Sequence, residues 1–305
     1  MARGIGAIDA VQTALPDVLA VLIAVVTQFG DVVVFVPALT LVLWFGDRDR
    51  GAALIGVALG GVGIVLIAKH LLAFARPPTN PPVPIEDVPA IVRSFYEAEV
   101  TADGYGFPSG HATAATVVWG SLAWWLDAST RPRRVAVAAG LVVLVAFSRV
   151  ALGVHYVVDV VAGIGLGLAY LLAVAWVRNR VEGDERLFLW LAVGLAAVGG
   201  LLQGGQDGWL AVGAAVGATV GWSATDAPIE SWPTARKTVV RAVVVIAAVA
   251  ALAGTAGVGL IAAGLPEAPA LGLATGLTAG AFLATPGVRT VSDWVESGDD
   301  QNVSR

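Results

Sequence analysis

A polytopic, all-α membrane helical bundle is the fold this sequence predicts, and three observations predict it. Hydrophobic residues make up 57% of the 305 and charged residues only 13%, against roughly 25% charged in soluble domains. Mean hydropathy is +0.80. Folding leaves roughly a quarter of a soluble chain's unfolded surface exposed at this size, too much for so few polar residues to cover. The second observation is a set of charge-free runs: Gly51–Ala68, Val160–Val177, Leu187–Gln206, Ala242–Pro266 and Ala268–Val288. Each reaches the ~18 residues that make a membrane crossing the default reading. The third is a one-sided distribution of basic residues between alternate connecting segments. The same composition excludes intrinsic disorder, a basic nucleic-acid-binding domain and a disulfide-stapled module. With no Cys there is no disulfide, thiolate metal site or thiol nucleophile.

Taken in order, the chain begins with an interfacial segment, 1–30. Arg3 is the sole positive charge near its start, and no short apolar stretch with a small-residue cleavage site follows, so no cleavable signal is expected. Pro16–Gly30 is placed along the membrane surface because Gln28, Gly30 and Asp31 interrupt it. A five-span core occupies 31–180, with spans near 31–46, 51–75, 108–126, 135–152 and 155–177. A four-span extension follows over 187–288, then a polar cytoplasmic tail, 289–305. Trp44, Trp124, Trp125, Trp176, Trp190, Trp209 and Trp222 fall near expected helix ends, where amphipathic rings settle at the headgroup level. They are anchors rather than chemistry.

Numbering the segments between these nine crossings alternately puts thirteen of the eighteen basic residues on one side, among them Arg48, Arg131, Arg178, Arg236 and Arg289. That side is cytoplasmic by the positive-inside rule, so the N-terminus lies outside and the C-terminus inside a multi-pass cell-membrane protein. The outer side holds Arg3, Lys69, Arg76, Arg93 and Arg149. Lys69, Arg76 and Arg149 stand at or near span ends, where ionisable residues are functional hypotheses by default. All three histidines, His70, His111 and His155, fall at span ends on this same face. One long outer segment, Pro77–Phe107, is stiffened by six prolines and carries Glu86, Asp87, Glu97, Glu99 and Asp103 against Arg93. It reads equally as a solvated acidic linker or as a cap over a site.

Three short patterns follow one another on this face. They are Lys69 with Arg76-Pro77 seven residues on, then Pro108-Ser109-Gly110-His111, then Ser148-Arg149 with His155 and Asp159. The set resembles the signature of the type 2 phosphatidic acid phosphatase family, which includes vanadium haloperoxidases and bacterial acid phosphatases. Every fixed position is matched, and Thr27–Asp31 resembles the family's approach to its core. The resemblance covers about Asp31–Val177; the last four spans match nothing. It implies a phospho-histidine on His155, with Asp159 as its partner, His111 as general acid–base and metal-independent chemistry without a cofactor.

The residues suit that chemistry on their own terms. Phosphoryl transfer needs positive charge around the equatorial oxygens, an in-line nucleophile and a proton for the leaving group. Lys69 and Arg76, two helical turns apart, are expected on one helix face, and Arg149 offers a planar fork for two oxygens. Ser109 and the Gly110 N–H stand at a helix start, where free N–H groups and the dipole attract anions. Asp159, four residues after His155, would fix the imidazole tautomer. His155 and Asp159 also have a spacing that suits metal ligation, with His111 as third ligand, which would leave the cations without a purpose. His70 reads as interfacial and Arg93 as a solvated charge.

The function expected is hydrolysis of a lipid monophosphate or diphosphate at the outer face, with phosphatidic acid, phosphatidylglycerol phosphate and polyprenyl pyrophosphate as candidates. Expected partners are that lipid phosphate, bilayer lipids and a second copy of the chain, and not nucleic acid. Two rivals stand: a phosphoryl or head-group transferase using the same site, and a non-catalytic phospholipid-binding or transport protein. A haloperoxidase shares the cradle but fits nine spans poorly.

Overall fold

The structure is a computed structural model that describes residues 4–45, 47–127, 129–180, 186–223, 261 and 264–284. These residues form an all-α bundle of eleven helices with no strand among them: α1 (Ile5–Ala14), α2 (Asp17–Thr27), α3 (Val32–Phe45), α4 (Arg48–Leu72), α5 (Ala90–Val100), α6 (Gly110–Trp125), α7 (Arg131–Ala151), α8 (Val157–Arg178), α9 (Leu187–Gln203), α10 (Gly205–Ser223) and α11 (Glu267–Ala284). The expected span Ala242–Pro266, apart from 261 and 264–266, and the tail 289–305 lie outside the described residues.

α4, α7 and α8 are each long and apolar enough to cross a membrane. The outer faces of α7 and α8 carry Val137, Val143, Leu144, Leu168 and Leu172, all at least half exposed, an apolar surface that water would not tolerate over such an area. α6 is shorter, 16 residues, and sits inside, packed against α4, α7 and α8. Its small residues Ala112, Thr113, Ala115 and Thr116 are buried, which lets the surrounding helices close on it. Gly163 of α8 makes the closest of these approaches: a Cβ there would stand 2.6 Å from the Ser109 carbonyl oxygen.

The N-terminal segment does more than rest on a surface. α1 and α2 meet at a bend of 118°. Ile8 of α1 is fully buried against Ala112, Ala146, Val150, Tyr156 and Val160, so α1 is wedged against α7 and α8. α2 leads into a 3-10 turn, Gln28–Gly30, that touches both α6 and α7.

Pro77–Phe107 is a folded segment. It forms a 3-10 turn at Ile85–Asp87 and the helix α5. Tyr96 of α5 is completely buried in a cluster with Ala20, Ile23, Ala151, Leu152 and Val154, and its hydroxyl donates to the Val83 carbonyl. Arg93 is not simply solvated: its guanidinium donates to the Val88 and Glu86 carbonyls and closes the turn before α5. Beyond the core, α9 packs along α4, and α10 joins α9 to α11.

Candidate active site

The three patterns meet at one end of the bundle, where α4 and α7 end and α6 and α8 begin. Ser109 caps α6, its hydroxyl accepting from the Ala112 N–H at 3.5 Å, and its own N–H donates to the Asp159 carbonyl at 2.9 Å. Thr113 ties the same corner, donating to the carbonyls of Ser109 and Gly163. Lys69 reaches the corner from α4: a Cβ on Gly110 would lie 3.9 Å from its Nζ. The free N–H groups of the first turn of α6 and this ammonium therefore face a common point.

Arg76 arrives by a different route from the expected one. α4 ends at Leu72, and Ala73 takes a left-handed conformation with φ 49°, which turns the chain back over the helix end. Lys69 and Arg76 thus do not share a helix face. Arg76 approaches from the returning loop and donates to the carbonyls of Asp103 and Val154 and to His155 Nε2 at 3.1 Å.

That last contact fixes the tautomer. A guanidinium can only donate, so His155 Nε2 accepts, and the ring proton sits on Nδ1. Nδ1 lies 3.5 Å from Asp159 Oδ2, whose position is held by the Tyr156 N–H at 3.0 Å. His155 is 2% exposed and Asp159 0%. His155 precedes α8 rather than starting it, so the pair spans the helix entry. Burial, and then the cations Arg76, Arg149 and Lys69, hold the His155 imidazole well below its ordinary value, so it is neutral at neutral pH. Burial and the neighbouring Arg149 push Arg76 down to about 10, which leaves it charged there.

Arg149 closes the far side. It is 3% exposed and donates from Nη1 to Glu99 Oε2 at 2.8 Å and to Thr27 Oγ1 at 3.0 Å. The other Glu99 oxygen accepts from Gln28 Nε2 at 2.8 Å. Arg149 Nε is buried without a hydrogen bond. His111, on the first turn of α6, sets Nε2 3.5 Å from Asp31 Oδ2. Asp31 is held below the usual carboxylate range, chiefly by this imidazole and against the opposing effect of burial. Among the described residues no three His, Asp or Glu side chains gather as metal ligands. His70 is exposed and takes no part. A separate cavity of about 370 Å³ at the opposite end, lined by Leu41, Asp47, Arg50, Trp125 and Asp127 among others, contains none of these residues.

A family model described as the PAP2 superfamily matches residues 50–182. Over that stretch the chain is similar to this superfamily. A relative, phosphatidylglycerophosphatase B of Bacillus subtilis, is 38% identical over 97 residues, covering 30% of this chain and 48% of that protein. The chain thus matches about half the length of its curated relative. No solved structure matches it.

The PAP2 region holds all eight residues singled out from the sequence: Lys69, Arg76, Ser109, Gly110, His111, Arg149, His155 and Asp159. It also holds Glu99, which sequence reasoning left among the loop acids. Thr27, Gln28 and Asp31 lie before it and were not singled out. Two signals pointed to them, the resemblance of Thr27–Asp31 to the family's approach to its core and the break in the apolar run at Gln28, Gly30 and Asp31, but neither gave them a contact.

Proposed function

We propose that this chain is a multi-pass membrane phosphatase that hydrolyses a lipid monophosphate or diphosphate at the extracytoplasmic face, without a metal, through a phospho-histidine on His155. The observation that carries the reading is the setting of His155: buried, its Nε2 accepting from Arg76 and its Nδ1 proton directed to Asp159, with Lys69 and Arg149 near enough to help hold the ring below its ordinary value. Phosphate oxygens would take over the donors of Lys69, Arg76 and Arg149 together with the N–H groups at the start of α6.

His155 Nε2 attacks phosphorus in line. The P–O bond to the alcohol breaks with its electron pair on oxygen, and protonated His111 donates the proton. Asp159 stabilises the positive charge that develops on the His155 ring. Water then attacks the phospho-histidine, His111 takes its proton, and the P–N bond breaks to release inorganic phosphate and neutral His155.

A lipid substrate is supported by the site's place at one end of an apolar bundle, where a head group can enter while its tails stay among lipids. The name of the bacterial relative supports a phospholipid monoester such as phosphatidylglycerol phosphate. The outer face is supported by the positive-inside distribution, which puts the ends of α4 and α7 outside.

The test is phosphate release from phosphatidic acid, phosphatidylglycerol phosphate and polyprenyl pyrophosphate, with and without chelator, for wild type and His155→Ala. Release by wild type in chelator, abolished in the variant and accompanied by an acid-labile, base-stable phosphoprotein, is expected. Turnover retained in His155→Ala overturns the nucleophile. Phosphate appearing on an added lipid alcohol instead of in solution would make the reaction a transfer.

A further inference from the structure

The proposed chemistry uses Asp159 to orient one imidazole, yet the site contains a second carboxylate–imidazole contact. Asp31 Oδ2 lies 3.5 Å from His111 Nε2, with the side chains 31% and 25% exposed. The carboxylate is anchored independently of that contact. Asp31 begins α3: its Oδ1 accepts from the Val33 N–H at 3.3 Å and its carbonyl from the Val34 and Phe35 N–H groups. One oxygen thus caps a helix while the other faces the ring.

The segment bearing Asp31 is pinned on both sides. The Phe29 carbonyl accepts from Trp119 Nε1 of α6 at 2.7 Å, and Thr27 accepts from Arg149 of α7. Gly30 allows this closeness, because a Cβ there would meet Val145 Cγ1 at 2.6 Å and His111 Cβ at 3.3 Å. Two contacts and a missing side chain therefore set the Asp31 carboxylate against His111, from a stretch that lies before the family-matched region.

We propose that Asp31 is a positioning residue for His111: it holds the ring by Nε2, turns Nδ1 toward the scissile ester and stabilises the imidazolium that protonates the leaving alcohol. The inference rests on the proposed phosphatase reading. The site would then carry two carboxylate–histidine pairs in opposite roles, Asp159 supporting a nucleophile and Asp31 an acid. A distance of 3.5 Å is long for a hydrogen bond, and such contacts tighten when substrate arrives.

The experiment exploits leaving-group dependence. Asp31→Asn preserves the helix cap, since Asn caps as well as Asp, and removes only the charge. With full-length enzyme in detergent, kcat/KM is measured for an alkyl phosphate such as lysophosphatidic acid and for p-nitrophenyl phosphate, whose phenolate leaves without a proton. This ratio reports events up to alcohol departure. Asp31→Asn should lower it ~10²-fold for the alkyl ester, part of the 10²–10⁴ that a positioned acid supplies, and by less than about threefold for the nitrophenyl ester. In a His111→Ala background the same substitution should add nothing, the signature of two residues acting as a unit. Equal loss on both esters, no loss on either, or full additivity with His111→Ala overturns the inference. Turnover surviving His155→Ala would overturn the phospho-histidine while leaving non-additivity between Asp31 and His111 to stand. Absence of hydrolysis by wild type removes both.

Discussion

The core end that holds the site and the extension α9–α11 are built from similar apolar helices, but they are held together by opposite means. Among the described residues, the buried ionisable side chains Arg149, His155 and Asp159 all lie in the core, whereas the one polar side chain buried in the extension is the uncharged Thr219. The core aligns charges that cost much to take out of water and must therefore be matched. The extension brings backbones together: Gly213, Gly217 and Gly221 of α10 face Gly272, Gly276 and Gly280 of α11 so closely that a Cβ on Gly217 would overlap the Gly276 carbonyl. Gly56 and Gly63 of α4 meet the α9 backbone in the same way. Close packing of small residues tolerates no added volume but carries no chemistry. Charges aligned at one end do carry it.

The sharpest break of this contrast is His155→Ala. Loss of a nucleophile should lower kcat by ~10⁴-fold or more, read as phosphate release, with folding unchanged by circular dichroism. Arg149→Lys comes next. It keeps the charge and loses the planar guanidinium, whose Nη1 donates to both Glu99 and Thr27 and whose other N–H groups could grip phosphate oxygens, so kcat/KM should fall ~10²-fold. Equal activity would reduce Arg149 to a point charge.

Glu99→Ala tests the Pro77–Phe107 segment. Arg149 and Glu99 side chains are 4% and 13% exposed, and removing one partner of a buried pair costs about 3 kcal/mol. The variant's Tm in detergent should drop, and vanadate, an anion able to pair with Arg149, should restore more of it than in wild type. A drop that vanadate leaves untouched would mean Glu99 matters through packing alone.

The pH profile carries a smaller effect. Because His155 titrates well below 6.5, its neutral, nucleophilic form persists as pH falls past the ordinary histidine range. Formation of the phosphoenzyme from p-nitrophenyl phosphate should therefore hold nearly constant through pH 6 and fail only in stronger acid. A midpoint at 6.5 would mean that burial does not act on this ring. The smallest effect is expected from Gly217→Leu, which should loosen the extension and lower Tm while leaving kcat within about twofold, as suits a change far from the proton and phosphoryl transfers.

The sequence allowed the helical class and the long apolar helices α4, α7 and α8 to be read, because apolar run length is a strong local signal. It also made the eight site residues legible, because their spacing is fixed. Other features depend on contacts that no local pattern encodes. The left-handed turn at Ala73 is carried by a residue with no special preference for it, so the spacing of Lys69 and Arg76 read as helix pitch. Glu99 and Arg149 are fifty residues apart, and an acidic loop shows nothing of which carboxylate will fold inward. Asp31 looked like a polar break in an apolar run because its two partners, a helix start and a distant imidazole, exist only after α3 and α6 have packed.

Asp159 shows how little movement this arrangement needs in order to keep its aim. Its carboxylate faces His155, while its main-chain carbonyl receives the Ser109 N–H. The tips of α6 and α8 are keyed together through one residue, so any breathing of the bundle carries the His155 ring and the Ser109 corner as a single block.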